Sequence, residues 1–152
     1  MGEKTRYHIV IEEATAEDSN SIYEIGCQCF PDAWREETIK NDLAGAHSQY
    51  FVAKINGGIV GYGCFWFVAD EAQLVNIGVY PLFRRKGVAE EIIKRGILEA
   101  VSRHMQTMFL EVRVSNLAAQ KLYWKYNFKV VSVRKDVYEL PKENGYIMSR
   151  PL

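Results

Sequence analysis

A basic turn at residues 84–89 carries the residue types best suited to bind a phosphate group. It reads Arg-Arg-Lys-Gly-Val-Ala, follows a strand-like run over residues 74–79 and opens a helix-like run over residues 88–104. The first turn of a helix has unpartnered main-chain N–H groups and the positive end of the helix dipole, and Gly87 permits close approach to the main chain. By itself the hexapeptide suggests a solvated surface loop. Its position between a strand and a helix favours a pyrophosphate site.

Two other phosphate-binding motifs are absent from the sequence. No Gly-x-Gly-x-x-Gly follows the first strand, as a Rossmann fold requires, and no Gly-x-x-x-x-Gly-Lys-Ser/Thr occurs, as a Walker loop requires. A nucleotide-binding regulator of either class is therefore not expected.

Glu111 stands in an otherwise apolar strand predicted over residues 108–114. Strand alternation places Phe109, Glu111 and Arg113 on one face and the aliphatic residues on the other. A carboxylate is unfavourable in a strand, so Glu111 is either the ion-pair partner of Arg113 or a catalytic group. The two interpretations have equal weight for this residue taken alone.

A helix predicted over residues 117–126 carries two further polar candidates. Asn116 and Tyr123 are seven residues apart, so they project from one helix face at roughly 10 Å separation. Taken singly, Asn116 is a helix cap and Tyr123 is a core residue with its hydroxyl at the edge. Their joint occurrence downstream of the basic turn favours a shared site.

The sequence resembles the GCN5-related N-acetyltransferase (GNAT) family, and within it the ribosomal-protein-alanine N-acetyltransferase (RimI-type) subgroup. The basic turn matches the family's acyl-CoA motif, Gln/Arg-x-x-Gly-x-Gly/Ala. Further matches are the run Leu-Glu-Val-Arg-Val-Ser-Asn over residues 110–116, the stretch over residues 70–79 and the segment 122–128. Residues 30–34, Phe-Pro-Asp-Ala-Trp, fit more loosely.

The resemblance implies a GNAT fold of the α/β (α+β) class, with a mixed, mostly antiparallel sheet flanked by helices. Two central parallel strands, ending at Val79 and Val114, would splay into a V that holds acetyl-CoA as cosubstrate. The first of these strands would bind the pantetheine arm and polarise the thioester carbonyl, and the basic turn would bind the pyrophosphate. Asn116 would contact the pantetheine, and Tyr123 would lie near the thioester sulfur. The implied cofactor-binding residues are Ile77, Gly78, Val79, Arg84, Arg85, Lys86, Gly87, Val88, Ala89, Asn116 and Tyr123.

The same resemblance implies acetyl transfer to the N-terminal α-amine of a protein, with a ribosomal protein as the expected acceptor. An α-amine has a pKa of ~8 and attacks only when uncharged, so a general base is needed. Glu111 is the candidate base, and Tyr123 is the candidate acid for the departing thiolate. Glu71 is a second candidate base, although a surface turn residue is the preferred interpretation.

The acceptor site is less well defined by the sequence. Trp34 and Tyr138 are candidate walls, although Trp34 is also interpretable as an anchor of its loop and Tyr138 as a surface aromatic. After Arg134 the subgroup often has paired tyrosines, and here Tyr138 stands alone. Two other activities are therefore kept as alternatives: acetylation of a lysine side chain or small amine, and acyl-CoA binding without turnover.

The hydrophobic pattern predicts the element order β-α-α-β-β-β-α-β-α-β-β. Hairpins alternate with strand-helix-strand crossovers, which indicates a mixed sheet with helices on both faces. Tight turns are predicted at residues 56–58 and 142–145, because asparagine and glycine accept a positive φ.

Composition indicates one globular domain over residues 1–152, as a monomer or homodimer. The chain is 48% hydrophobic and 25% charged with a net charge of zero, so a nucleic-acid-coating role is not expected. No apolar run approaches ~20 residues. Residues 1–6 are polar, and Arg6 stands where a myristoylation signal at Gly2 requires Ser or Thr. A cytoplasmic protein is expected, with its three cysteines reduced and no metal site.

Overall fold

The computed structural model describes residues 7–152, and segment 1–6, on which the leader and myristoylation predictions rest, lies outside them. Within the described residues, seven strands and four helices follow the predicted order. The strands are β1 Ile9–Glu13, β2 Ser48–Ile55, β3 Gly58–Val68, β4 Glu71–Val79, β5 Thr107–Arg113, β6 Lys129–Glu139 and β7 Lys142–Pro151. The helices are α1 Ser19–Cys29, α2 Glu36–Leu43, α3 Val88–Ser102 and α4 Leu117–Lys125. None of these helices is long and apolar enough to cross a membrane.

The strands form one sheet in the order β1-β2-β3-β4-β5-β7-β6. Every neighbouring pair is antiparallel except β4 and β5, which are parallel. Parallel neighbours need a crossover connection, and α3 supplies it. The predicted mixed, mostly antiparallel sheet with two central parallel strands is confirmed.

Helices cover both faces of the sheet. On one face α1 and α2 pack through Ile22 and Ile39 against β2 and β3. On the other face Ile92 of α3 and Tyr123 of α4 belong to one core cluster with Phe65 of β3. The packing of α3 is close, because a Cβ on Gly96 would stand 2.1 Å from the Phe65 ring. Burial of large side chains on both faces, each contributing about 1.5–3 kcal/mol, holds the sheet rigid behind the site.

The two parallel strands are joined over only part of their length. Residues 71–74 of β4 pair with residues 107–110 of β5, and the pairing stops there. Beyond Leu74, β4 continues beside β3 and β5 continues beside β7. The ladder of β3 and β4 shifts register at the same place, leaving Val75 as an extra residue on β4. A bulge bends its strand and increases the local twist, so it accounts for the separation of β4 from β5 that opens the V.

One predicted turn is wrong. Residues 142–145 were expected to form a tight turn, but they belong to β7, and the connection from β6 falls at Leu140 and Pro141. The reason is strand pairing: Lys142 and Glu143 pair with β6, and Gly145 pairs with both β6 and β5. This pairing outweighs the turn preference of these polar residues.

Candidate active site

The opening between β4 and β5 leaves one edge of β4 free. Residues 76–79 pair with β3 on one side only, so a ligand can lie along the other side as an extra strand. The predicted residues Ile77, Gly78 and Val79 form this edge. Gly78 also lets α1 approach, because a Cβ there would lie 3.0 Å from the Tyr62 ring and 3.3 Å from two side chains of α1.

Two side chains hold the last carbonyl of β4. The Val79 oxygen accepts hydrogen bonds from Arg84 Nε at 3.2 Å and from Cys29 Sγ at 3.3 Å. The following N–H, of Tyr80, donates to the Val60 carbonyl at 2.9 Å. The peptide group after Val79 is therefore fixed on both sides. Arg84, a predicted cofactor residue, directs its guanidinium to the end of β4 and keeps its charge beside the turn.

The basic turn presents its main-chain N–H groups to open space. Arg85 and Gly87 have left-handed backbones with φ of 61° and 85°, and α3 begins at Val88 with Gly87 as its N-cap. Within residues 7–152, the N–H groups of residues 85–90 have no hydrogen-bond partner. A Cβ on Gly87 would meet no atom within 4 Å. This concave set of free donors fits a diphosphate.

A depression of about 160 Å³ adjoins the turn. The end of β4, the first residues of α3 and Leu122 of α4 line it. Five of the six predicted turn residues belong to that lining: Arg84, Arg85, Gly87, Val88 and Ala89. Lys86 does not, and its Nζ lies 5.7 Å from the centre of the Tyr7 ring.

An ion pair fixes α4 beside the turn. Lys125 Nζ lies 2.6 Å from Glu90 Oε1, and the same oxygen accepts a hydrogen bond from Tyr126 Oη at 2.8 Å. The hydrogen bond from Lys125, followed by that from Tyr126, holds the pKa of Glu90 below its usual value. The carboxylate at the start of α3 is therefore already paired, which reduces its repulsion of an incoming phosphate.

Tyr123 is a buried residue of α4 on the same face of the sheet as α3. It is 7% exposed, and its ring packs edge-on against Phe128 at 6.1 Å. Burial, and to a smaller extent the neighbouring Tyr138, raises the pKa of its hydroxyl above the ordinary 10.0. Tyr123 therefore keeps its proton at neutral pH, as a proton donor must.

Asn116 is the N-cap of α4. Its Oδ1 accepts a hydrogen bond from the Ala119 N–H at 3.1 Å, which confirms the capping interpretation. The cap uses only the oxygen, so the side-chain NH₂ is a donor suited to a pantetheine carbonyl. Gln120, a residue without a predicted role, donates to the carbonyls of Arg113 and Val114 at 3.0 and 2.9 Å. It ties α4 to the end of β5.

Glu111 lies on the opposite face of the sheet from Tyr123. The buried neighbours Leu110 and Val112 face α3 and α4, so alternation directs Glu111 toward the side of α1 and α2. Its Oε2 accepts a hydrogen bond from Arg134 Nη1 of β6 at 2.9 Å. The interpretation of Glu111 as the ion-pair partner of Arg113 is therefore wrong. The guanidinium of Arg113 instead donates to the two carbonyls of the β6–β7 connection.

Tyr138 lies beside Glu111. A Cβ on Gly145 of β7 would stand 3.0 Å from the Tyr138 ring and 3.2 Å from Glu111 Cγ, so both side chains converge over Gly145. Burial first, and then the charge of Glu111, raises the pKa of Tyr138 to about 12. Asp32, in the connection between α1 and α2, contributes to the same rise. The charge of the α1–α2 connection therefore reaches Tyr138, beside Glu111.

Trp34 lies against β3, and Glu71 lies where β4 and β5 are still joined. The ring of Trp34 stacks on Trp66 with centroids 6.2 Å apart and planes inclined by 25°, and Trp66 pairs with Gln73 of β4. This contact matches the interpretation of Trp34 as an anchor of its loop. Glu71 begins β4 and is exposed, which matches its interpretation as a surface residue.

Comparison with known proteins places the chain among acetyltransferases. The model of the acetyltransferase (GNAT) family matches residues 19–128. The [ribosomal protein bS18]-alanine N-acetyltransferase of Haemophilus ducreyi is 32% identical over 143 residues, covering 92% of this chain and 98% of that protein. The protein of that name from Haemophilus influenzae is 32% identical over 145 residues, covering 92% and 97%. The crystal structure of the ribosomal-protein-S18-alanine N-acetyltransferase from Escherichia coli superposes with a TM-score of 0.88 at 29% identity, covering 95% and 94%.

Proposed function

The chain belongs to the acetyltransferase (GNAT) family, and we propose that it acetylates the N-terminal α-amine of a protein, with a ribosomal protein as acceptor. Acetyl-CoA is the acetyl donor of this family. The relatives named for alanine acetylation of ribosomal protein bS18 match the chain over nine-tenths of its length, and this likeness supports the acceptor class. A ribosomal acceptor would place the enzyme in the cytoplasm.

One observation carries this proposal. The opening between β4 and β5 begins after Leu74, follows the free edge of β4 and ends at the unpartnered N–H groups of α3. A thioester of CoA has the matching parts in the same order: a reactive end, an amide-bearing arm and a diphosphate. Glu111 is the first residue of β5 beyond the paired stretch, and Tyr123 belongs to the core on the opposite face of the sheet.

Each part of the chain has a distinct task in this proposal. Bound acetyl-CoA supplies an acetyl group activated as a thioester. The edge of β4 holds the arm, and an N–H of that edge polarises the carbonyl. Glu111 Oε1 or Oε2 accepts a proton from the acceptor ammonium, and Tyr123 Oη donates its proton to the departing sulfur. Positioning of the two substrates contributes more to the rate than either side chain alone.

The acceptor would enter from the face that carries α1 and α2. Tyr138 lies beside Glu111 on that face, and Asp32 of the α1–α2 connection is near enough for its charge to raise the pKa of Tyr138. Tyr138 and Trp34 remain the proposed walls of this entrance, with Tyr138 the nearer to the proposed base. Carboxylates on this side suit an approaching ammonium group.

Release of free thiol from acetyl-CoA tests the proposal. The protein is incubated with peptides that begin with Ala or Ser and, separately, with N-blocked peptides that contain lysine. Release with the free N-termini alone is expected. Release only with the blocked peptides would assign the activity to a lysine side chain. Calorimetric heat with acetyl-CoA but no release with any amine would leave a binding module, and no heat would remove the cofactor site itself.

A further inference from the structure

Arg113 connects the β6–β7 hairpin to the end of β5, and nothing in the proposed reaction uses it. We infer that Arg113 is a positioning residue that fixes this hairpin as a wall of the acceptor site, so that its loss weakens use of the acceptor and leaves use of acetyl-CoA unchanged. The inference rests on the proposed function, because it concerns the protein acceptor.

The guanidinium of Arg113 makes three polar contacts with the hairpin. Nη1 donates to the Pro141 carbonyl at 2.8 Å, and Nη2 donates to the Leu140 carbonyl at 2.8 Å. Nη1 also lies 3.2 Å from Glu143 Oε1. The side chain of Arg113 is 19% exposed and that of Glu143 is 16% exposed. Bonds to a charged donor in such a site are stronger than exposed ones.

The same guanidinium lies over an aromatic ring. Its central carbon is 4.2 Å from the centre of the Tyr138 ring, well within the range of a cation–π contact. One planar group therefore holds both carbonyls of the connection and the aromatic residue proposed as an acceptor wall. Lysine cannot reproduce this arrangement, because its ammonium has no flat face and no pair of parallel donors.

Glu143 extends the connection to the start of α4. Its Oε2 accepts a hydrogen bond from the Ser115 N–H at 2.7 Å, while Oε1 pairs with Arg113. Ser115 first, and then Arg113, holds the pKa of Glu143 below its usual value. The hairpin is thus tied to the segment between β5 and α4, which also bears Asn116.

The position of the hairpin sets the surroundings of Tyr138. Its ring lies beside Glu111 over Gly145, and its pKa responds to Asp32. A hairpin that drifts away would widen the space between Tyr138, the proposed base and the α1–α2 connection. The basic turn and the edge of β4 share no contact with Arg113 among the described residues. Asn116 is held by its own cap and by a main-chain bond to the Arg113 carbonyl, both of which remain in Arg113→Lys. The cofactor side would therefore keep its shape.

Substitution of Arg113 by Lys, with Arg103→Lys as a matched control, tests the inference. Arg103 has the same kind of contacts far from the opening: its guanidinium lies 4.2 Å from the Phe67 ring, and its Nε lies 3.1 Å from Glu99. Both variants lose an aromatic contact and weaken an ion pair. We expect Arg113→Lys to raise KM for an N-terminal peptide about tenfold, with KM for acetyl-CoA within about twofold. Arg103→Lys should change neither.

Hydrogen–deuterium exchange gives a second measurement that needs no activity. Amides of residues 136–145 should exchange faster in Arg113→Lys than in Arg103→Lys or the unaltered protein. Equal peptide KM values in the two variants, or unchanged exchange in the hairpin, would overturn the inference. Faster hairpin exchange in a protein that acetylates no peptide N-terminus would reject the proposed function and, with it, the acceptor role of Arg113, but would confirm the contact that Arg113 makes with the hairpin.

Discussion

Glu111 Oε2 accepts a hydrogen bond from Arg134 Nη1 at 2.9 Å across the width of β7, which lies between their two strands. The pair is unequal, because Arg134 is 60% exposed and Glu111 22%. An exposed ion pair contributes about 0–1 kcal/mol to stability. The ion pair alone is therefore a weak reason for a carboxylate in an otherwise apolar strand.

The two members of this pair should respond differently to substitution. Glu111→Gln should lower kcat at least tenfold, because a positioned general base contributes roughly 10²–10⁴ to the rate and water can replace part of that. Arg134→Gln removes the same hydrogen bond but keeps the carboxylate, so kcat should fall less than about threefold. Steady-state thiol release measures both. Equal losses in the two variants would show that only the ion pair matters.

Gly87 should be needed for cofactor binding, and not only for the stability of a turn with a left-handed backbone. Gly87→Ala adds a methyl group to the concave turn and forces a left-handed alanine, at a cost of about 1–2 kcal/mol. Gly57 is the matched control, since its φ is 82° and a Cβ there also meets no atom within 4 Å. Both alanine variants should lose similar stability in urea. Only Gly87→Ala should weaken acetyl-CoA binding, by tenfold or more in calorimetry, a magnitude of about 1.4 kcal/mol. Equal affinity in the two variants would remove the turn from the cofactor site.

Tyr123 should affect turnover more than binding. Tyr123→Phe keeps the ring against Phe128 but removes the proton donor, so kcat should fall about 100-fold with less than a threefold change in acetyl-CoA affinity. An unchanged kcat would exclude Tyr123 from the reaction.

The pH profile gives an independent check on Tyr123. Because burial raises its pKa above 10.0, the hydroxyl stays protonated throughout the range in which the acceptor amine loses its proton. The rate should therefore rise through pH ~8, as the α-amine becomes neutral, and stay level to pH 9.5. If the rate falls between pH 8 and 9.5 in the unaltered protein but not in Tyr123→Phe, the pKa of Tyr123 is not raised and the prediction is wrong.

Much of this architecture is predictable from local patterns. The apolar period of α3 and the Asn56–Gly57 pair each specify one element by themselves, and the structure has the helix at Val88–Ser102 and left-handed angles at both turn residues. The alternation of β5 likewise placed Glu111 on the face away from its aliphatic neighbours, as observed. These features depend on contacts between residues close in sequence.

Features that depend on distant strands were not predictable. The bulge at Val75 that opens the V arises from the register of β3 with β4. Arg134 reaches Glu111 only because β7 places their strands two positions apart. The Leu-Pro pair at 140–141 was the available signal for the last turn, since proline favours turns. The segment after it is more polar and contains Asn-Gly, so it had the stronger preference for a turn.

A half-buried carboxylate, that of Asp42, supports the α1–α2 face. Asp42, near the end of α2, accepts hydrogen bonds from Ser48 Oγ and Tyr50 Oη at 2.7 Å each and from Trp66 Nε1 at 3.1 Å. Burial alone would raise its pKa, but these bonds and a contact from Cys64 outweigh burial and hold the pKa below 3.8. The network fixes Trp66, on which Trp34 stacks.

Asp42→Asn should therefore destabilise the protein in a pH-dependent way. At pH 7 the amide presents at most one good acceptor to three strong donors, so the free energy of unfolding should fall by about 1–3 kcal/mol. A lowered folded-state pKa means that the stabilisation by Asp42 is complete above the unfolded-state value and is lost as pH falls through the folded-state value. The difference in the free energy of unfolding between the unaltered protein and Asp42→Asn should consequently shrink below pH 3.8.

Urea unfolding at pH 7 and pH 3 measures this difference. Substitution of the exposed Asp70 by Asn is the control, and it should change stability by less than about 0.5 kcal/mol at both pH values. A difference that is the same at both pH values would mean that Asp42 stabilises the fold by shape and not by charge.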